Sequence, residues 1–148
     1  MEYKTIQRVE THLVREGQEG ICIKNPKEVV QYMRDLQNAD IEKAIAIYLT
    51  GRNEIICEAV IGMGTIDYAT IEPRDILKIA LLTGATSTIL IHNHPGGTLE
   101  TSPEDRAITI ILTQACKLFR IKLLDHIIIT RDDFYSMNDH GEIPSPQG

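Results

Sequence analysis

Two histidines separated by one residue, His92 and His94, precede a carboxylate, Asp105, in the segment LIHNHPGGTLETSPED. If the apolar run through Ile89 continues as a strand to His94, its period of two places both imidazoles on one face, with Asn93 on the other. Neutral imidazoles and one carboxylate suit a borderline divalent ion such as zinc, and three protein ligands leave a fourth position for water. The same residues also have a structural reading. Histidines on a strand are often core or surface residues, and Ser102 with Asp105 three positions on is the pattern of a helix-capping box. Pro95-Gly96-Gly97 gives the chain a sharp turn after the strand, so that a helix start bearing Asp105 can fold back over the imidazoles.

The elements that must position these groups are legible as alternating strand and helix patterns. Thr5 to Val14 has partial alternation, and Glu16 to Gly20 reads as a loop. Asn25-Pro26-Lys27-Glu28 opens a helix, with Asn25 as cap and Val29, Val30, Met33 and Leu36 as its apolar stripe. Ala44 to Thr50 and Glu54 to Met63 are β-rich runs, and the spacer Gly51-Arg52-Asn53 predicts an antiparallel hairpin. Glu72-Pro73-Arg74-Asp75 starts a second helix that Gly84 ends, and the strand STILIHNH follows. Ser102-Pro103 starts a third helix, with Ile108, Ile111, Leu112, Ala115 and Leu118 inward, before the apolar strand from Ile121 to Thr130. The expected fold is α/β, a mixed sheet flanked by helices in one domain. Residues 1–24 form an N-terminal strand or arm, 25–140 the domain, and 141–148 a flexible tail, with fraying expected from Asp139.

A chain of 148 residues with 43% hydrophobic content can bury one proper core. Its net charge of −6 argues against binding nucleic acid through nonspecific phosphate contacts. Lys117, Arg120 and Lys122 read as a solvated face. Cys22, Cys57 and Cys116 are scattered among apolar neighbours and are expected to be buried thiols in a reducing compartment. With neither a signal-peptide pattern nor an apolar run of membrane length, the expectation is a soluble, cytoplasmic protein. The paired Asp125 and His126 inside an apolar strand need hydrogen-bonding partners if buried, and a supporting role behind the site is expected rather than ligation. His12 and His140 are read as surface residues.

His92-x-His94-Pro95 followed by Ser102 and Asp105 resembles the JAMM signature of JAB/MPN metalloproteases. HNHPGG, together with LLDHIII ending at Ile129, Val60-Ile61-Gly62-Met63-Gly64-Thr65 and Glu72-Pro73-Arg74-Asp75, resembles the RadC family in particular, from about Asn25 to His140. The chain departs from that pattern at Gly96, where family members usually have Ser, and at Thr98 to Thr101, where they have prolines. The longer family members carry a helix-hairpin-helix region. It is not expected here, and DNA contacts attributed to it are not carried over.

The resemblance implies a cytidine-deaminase-like, JAB/MPN-type single domain. It also implies zinc held by His92, His94 and Asp105, a water nucleophile, and an upstream glutamate as general base. Glu42, just before the strand Ala44 to Leu49, is preferred for that base, with Glu58 as the second choice. Ser102 would donate to the developing oxyanion or hold the water, its capping role being the competing reading. The implied activity is zinc-dependent hydrolysis of peptide or isopeptide bonds in a peptide or protein-conjugate substrate, with a family-level link to DNA repair. A non-catalytic MPN-type interaction module with a structural metal is the alternative, and the intact ligands argue against it. A nuclease reading of the letters HNH fails because the basic lining needed for a phosphate substrate is missing.

Overall fold

The computed structural model describes residues 20–64 and 71–145. The Thr5 to Val14 strand expectation, His12, the loop after Gly64 and the last three residues lie outside them. Three helices, α1 (Pro26–Tyr32), α2 (Pro73–Thr83) and α3 (Pro103–Leu118), accompany five strands. These are β1 (Lys43–Leu49), β2 (Ile55–Met63), β3 (Ser87–Asn93), β4 (Lys122–Ile129) and β5 (Phe134–Ser136), in the sheet order β2-β1-β3-β4-β5. Only β3 and β4 run parallel, joined through α3, so the sheet is mixed as expected.

Local chemistry accounts for the element ends. Asn25 Oδ1 accepts from Glu28 N at 3.1 Å, and Pro26 occupies the first turn, where its missing N–H costs nothing. The expected single stripe from Val29 to Leu36 is split: α1 stops at Tyr32, and a tighter 3₁₀ turn, Arg34–Asn38, carries Leu36 inward. Asn53 at φ 60 lets the β1–β2 hairpin turn, and Gly84 at φ 68 caps α2 in the left-handed region.

Alternation sorts the strand residues onto two faces. Ala44, Ala46, Tyr48 and Leu90 pack under α2 and α3, whereas Ile45, Ile47, Leu49, Ile89 and Ile91 pack with α1. Each face has its own core. The site described below belongs to the first face, at the end of the sheet where β3 and β4 finish and β1 begins.

One element was missed and two expectations are corrected. The short strand β5 was not read from the sequence; it covers β4 only at Ile127 to Ile129. The run from Asp139, expected to fray, is tied down through Glu142. Asp139 N donates to Ser136 Oγ at 3.1 Å, Glu142 N donates to Met137 O at 2.8 Å, and the Tyr135 hydroxyl donates to Glu142 Oε1 at 2.5 Å. Of the cysteines, Cys116 is buried and Cys57 half-buried, but Cys22 is exposed; it lies in the stretch before α1, which meets the hairpin at an isolated bridge between Cys22 and Glu54.

Candidate metal centre

His92 is the sixth residue of β3 and only 1% exposed. His94 lies just past the strand rather than within it, yet its backbone N–H still donates to Ile129 O at 2.9 Å, which keeps the chain extended. The turn that follows brings the start of α3 back over β3. Here the capping box and the convergence of ligands turn out to be compatible. Asp105 N donates to Ser102 Oγ at 3.0 Å, and Ser102 N donates to Asp105 Oδ2 at 2.8 Å. The other oxygen, Oδ1, sits 3.2 Å from His92 Nε2. His94 Nε2 lies 2.8 Å from His92 Nε2 and 3.7 Å from Asp105 Oδ2.

The ring protons follow from the hydrogen-bond chain behind the site. Thr109 Oγ1 donates to Asp105 O at 2.7 Å, so it accepts from His126 Nδ1–H, also at 2.7 Å. Burial, above all, holds His126 well below the ordinary imidazole range and leaves it neutral. Its Nε2 therefore accepts from His92 Nδ1–H at 2.8 Å, and the lone pair of His92 is on Nε2. His94 Nδ1–H donates to the carbonyl of Thr98 at 2.8 Å, which puts its lone pair on Nε2 too. Two lone pairs and a carboxylate thus face one point. Such an arrangement is repulsive unless a proton or a metal ion lies between the donors.

A tetrahedral zinc ion, with ligands at about 2.0–2.1 Å, sets ligand atoms roughly 3.3 Å apart. The two Nε2 atoms lie 2.8 Å apart, and Asp105 comes within 3.2 Å of His92 through Oδ1 and within 3.7 Å of His94 through Oδ2, distances that lie around that spacing. The donor set therefore fits the ion. His92, Asp105 and His126 also form a group with ligand atoms within 4.8 Å of one another. His126, however, uses one ring nitrogen on His92 and the other on Thr109, so His94 is the better third donor and His126 orients His92 from behind. Burial pushes the Asp105 carboxyl up, but the His92 ring, when it carries the proton that separates the donors, and the amide of Ser102 outweigh it and hold the group well below the usual carboxylate range.

The two candidate glutamates separate by face. Glu42 is half-buried and immediately precedes β1, two residues before Ala44, which pairs with His92. Continued one residue before β1, the strand alternation would put Glu42 on the Ala44 and His92 face. Glu58 pairs with Ile47, on the α1 face, and hydrogen-bonds Tyr32, whose hydroxyl is pushed up to about 12, by burial first and then by that carboxylate. The expectation that Glu58 could share the cleft is thus not met, since Cys57 and Ala59, its neighbours, take the site face. Asp125 and His126 divide in the same way. His126 pairs with Leu90 on the site face, while Asp125 pairs with Ile89 and accepts from Ser136 Oγ at 2.5 Å and Asn138 N at 2.9 Å. Thr109 was missed in the sequence, although its position four residues after Asp105 places it on the same helix face.

The loop Pro95 to Thr101 is anchored to α3, with Arg106 Nη1 donating to Thr101 O at 2.6 Å and to its hydroxyl at 3.0 Å. A surface groove of 620 Å³ lies alongside, lined by Leu99, Glu100, Thr101, Pro103, Arg106 and Tyr135. A groove of 680 Å³ elsewhere, between α1, α3 and β4, carries none of the site residues. His140 is exposed and stacks on Tyr135, with ring centroids 4.1 Å apart.

Fold and site together define a single α/β domain with a His-Asp-His group able to bind a metal ion. The family described as RadC-like JAB domain matches residues 23–142, and the chain belongs to it. UPF0758 proteins are its relatives. One from Chlorobaculum tepidum is 36% identical over 122 residues, covering 82% of this chain and 55% of the relative. One from Methanosarcina acetivorans is 36% identical over 140 residues, covering 94% and 60%, and one from Neisseria meningitidis is 38% identical over 133, covering 89% and 59%. The chain therefore spans 55–60% of the length of these curated relatives. Among the described residues no helix is long and apolar enough to cross a membrane.

Proposed function

We propose that this domain is a zinc-dependent hydrolase of peptide or isopeptide bonds, with His92, His94 and Asp105 as the metal ligands. The observation that carries the reading is the convergence of two imidazole Nε2 atoms and a carboxylate, each residue fixed from behind by a hydrogen bond. Zinc bound there would polarise a carbonyl and lower the pKa of a water from 15.7 toward ~7. Glu42 takes the proton from the attacking water and returns it to the leaving amine, work that a carboxylate can do at neutral pH. Ser102 serves twice. Capping uses its Oγ as an acceptor, so its O–H is not consumed by that bond and donates to the developing oxyanion. The carbonyl of Thr98 and the pair His126–Thr109 keep both imidazoles in the ligating tautomer.

The substrate proposed is a peptide or protein conjugate. A net charge of −6 favours a route to any DNA-repair role through a protein target rather than direct DNA contact. Metal content by elemental analysis tests the reading, comparing the native chain with His94→Ala and Asp105→Ala at equal helicity. About one zinc per chain, lost in both variants, is expected, followed by cleavage of fluorogenic peptide or isopeptide substrates that Glu42→Gln abolishes while keeping zinc. Failure to take up zinc when it is supplied overturns the enzyme and leaves an interaction module.

A further inference from the structure

The residue between the two histidines has a place of its own. Asn93 is 2% exposed and points away from the imidazoles, yet it is not merely packed in the core. The β1–β3 ladder ends at the pair Ala44 and His92, and beyond it the backbone of His94 turns its N–H to β4. The side chain of Asn93 closes the opening between β1 and β3. Its Oδ1 accepts from Lys43 N at 2.7 Å, while its amide donates to Ile41 O at 3.0 Å and Ala39 O at 3.3 Å. The peptide groups on either side of Glu42 are thus held by one side chain, and Glu42's own carbonyl accepts from Gly64 N at 2.9 Å.

We infer that Asn93 is a positioning residue that fixes the Glu42 segment at a set distance from the histidines its own strand carries. The inference rests on the reading of Glu42 as the general base. An amide suits the task because it offers an acceptor and two donors on one rigid plane. Aspartate keeps the acceptor but turns negative oxygen toward two carbonyls, and an aliphatic residue removes all three part-buried bonds. The metal ligands are held by other bonds, so loosening the Glu42 segment leaves them in place.

The test compares native protein with Asn93→Ala and Asn93→Asp in three readouts: amide hydrogen exchange, zinc affinity by chelator competition, and kcat against KM on a cleaved peptide. In Asn93→Ala, exchange at Ile41 to Lys43 accelerates at least about fivefold, the equivalent of one typical hydrogen bond. Zinc affinity stays within about threefold, and kcat falls on the order of 100-fold with KM little changed, as misplacement of a catalytic group by about 1 Å predicts. Asn93→Asp, which keeps the bond to Lys43, falls between, and it carries the comparison alone if the alanine variant does not fold. Unchanged exchange at these amides, or zinc affinity lost in step with kcat, overturns the assignment. Native protein that binds zinc but cleaves nothing overturns the hydrolase reading instead, and the exchange comparison still decides whether Asn93 holds the segment.

Discussion

Replacing Thr109 by valine keeps the branched shape and removes one hydroxyl, and the consequence should reach the metal two hydrogen bonds away. Thr109 Oγ1 accepts the Nδ1 proton of His126, which is fully buried. Without that acceptor the proton is stranded, at a cost of about 1–3 kcal/mol for a buried unsatisfied donor. The protein avoids the cost by moving the proton to His126 Nε2, which faces His92 Nδ1 at 2.8 Å. His92 must then carry its own proton on Nε2, the atom that would ligate. Zinc binding has to reverse both shifts, so the penalty appears in the metal affinity. At 1.4 kcal/mol per tenfold it amounts to roughly 5- to 150-fold, in line with the 10- to 100-fold typical of such supporting partners. Competition with a chromophoric chelator measures the zinc affinity, and thermal unfolding of the zinc-free protein measures stability. Thr109→Val should bind zinc at least about fivefold more weakly with a nearly unchanged zinc-free midpoint, and Thr109→Ser should restore binding. Native-like affinity in the valine variant would refute the proton chain assigned to this site.

Ser102→Ala removes the side-chain cap of α3 but leaves the amide that holds Asp105 Oδ2, so it should cost about 0.5–2 kcal/mol in urea unfolding while zinc is retained; joint loss of zinc would contradict the separation of the two roles. Burial raises the Asp125 carboxyl above 3.8 despite hydrogen bonds from Ser136, Asn138 and His126. The folded state therefore holds this proton more tightly than the unfolded chain, and its contribution is greatest below pH 3.8 and declines as pH rises through the folded value. The stability difference between native protein and Asp125→Asn should fall with rising pH across that window, and a difference that rises would count against the assignment. A thiol reagent followed by peptide mass spectrometry should modify exposed Cys22 first and Cys57 more slowly. Cys116, whose thiol burial pushes up to about 11, should react only on unfolding; early labelling of Cys116 would show that the α3 face opens.

The helices and long strands were legible because caps, prolines and apolar periodicity agreed with one another, as at Asn25-Pro26 and Ser102-Pro103. The candidate ligand pair was legible because His92 and His94 stand two apart at the end of an apolar run. What escaped reading depended on contacts across the sheet. The strand β5 has three residues and is specified by pairing with β4 rather than by a pattern of its own. That Glu58 faces α1 follows from its pairing with Ile47, a register that no local spacing reveals. His126 was expected to support the site from a second layer, but its partner Thr109 comes from α3 and only the parallel crossover brings them together.

A helix start is a poor neighbour for a cation, because its free N–H groups and the helix dipole favour negative charge. This site nonetheless sits against the start of α3. Asp105 resolves the conflict by dividing its two oxygens: Oδ2 answers the N–H of Ser102, and Oδ1 faces the imidazoles. Capping therefore aims the ligand rather than competing with it, since the bond to Ser102 removes the rotation that would swing the carboxylate away. The spacing of three between Ser102 and Asp105 answers two requirements at once, the geometry of the box and the reach to His92. Glu104, one residue earlier and exposed, places equal charge on the same helix turn but meets neither requirement.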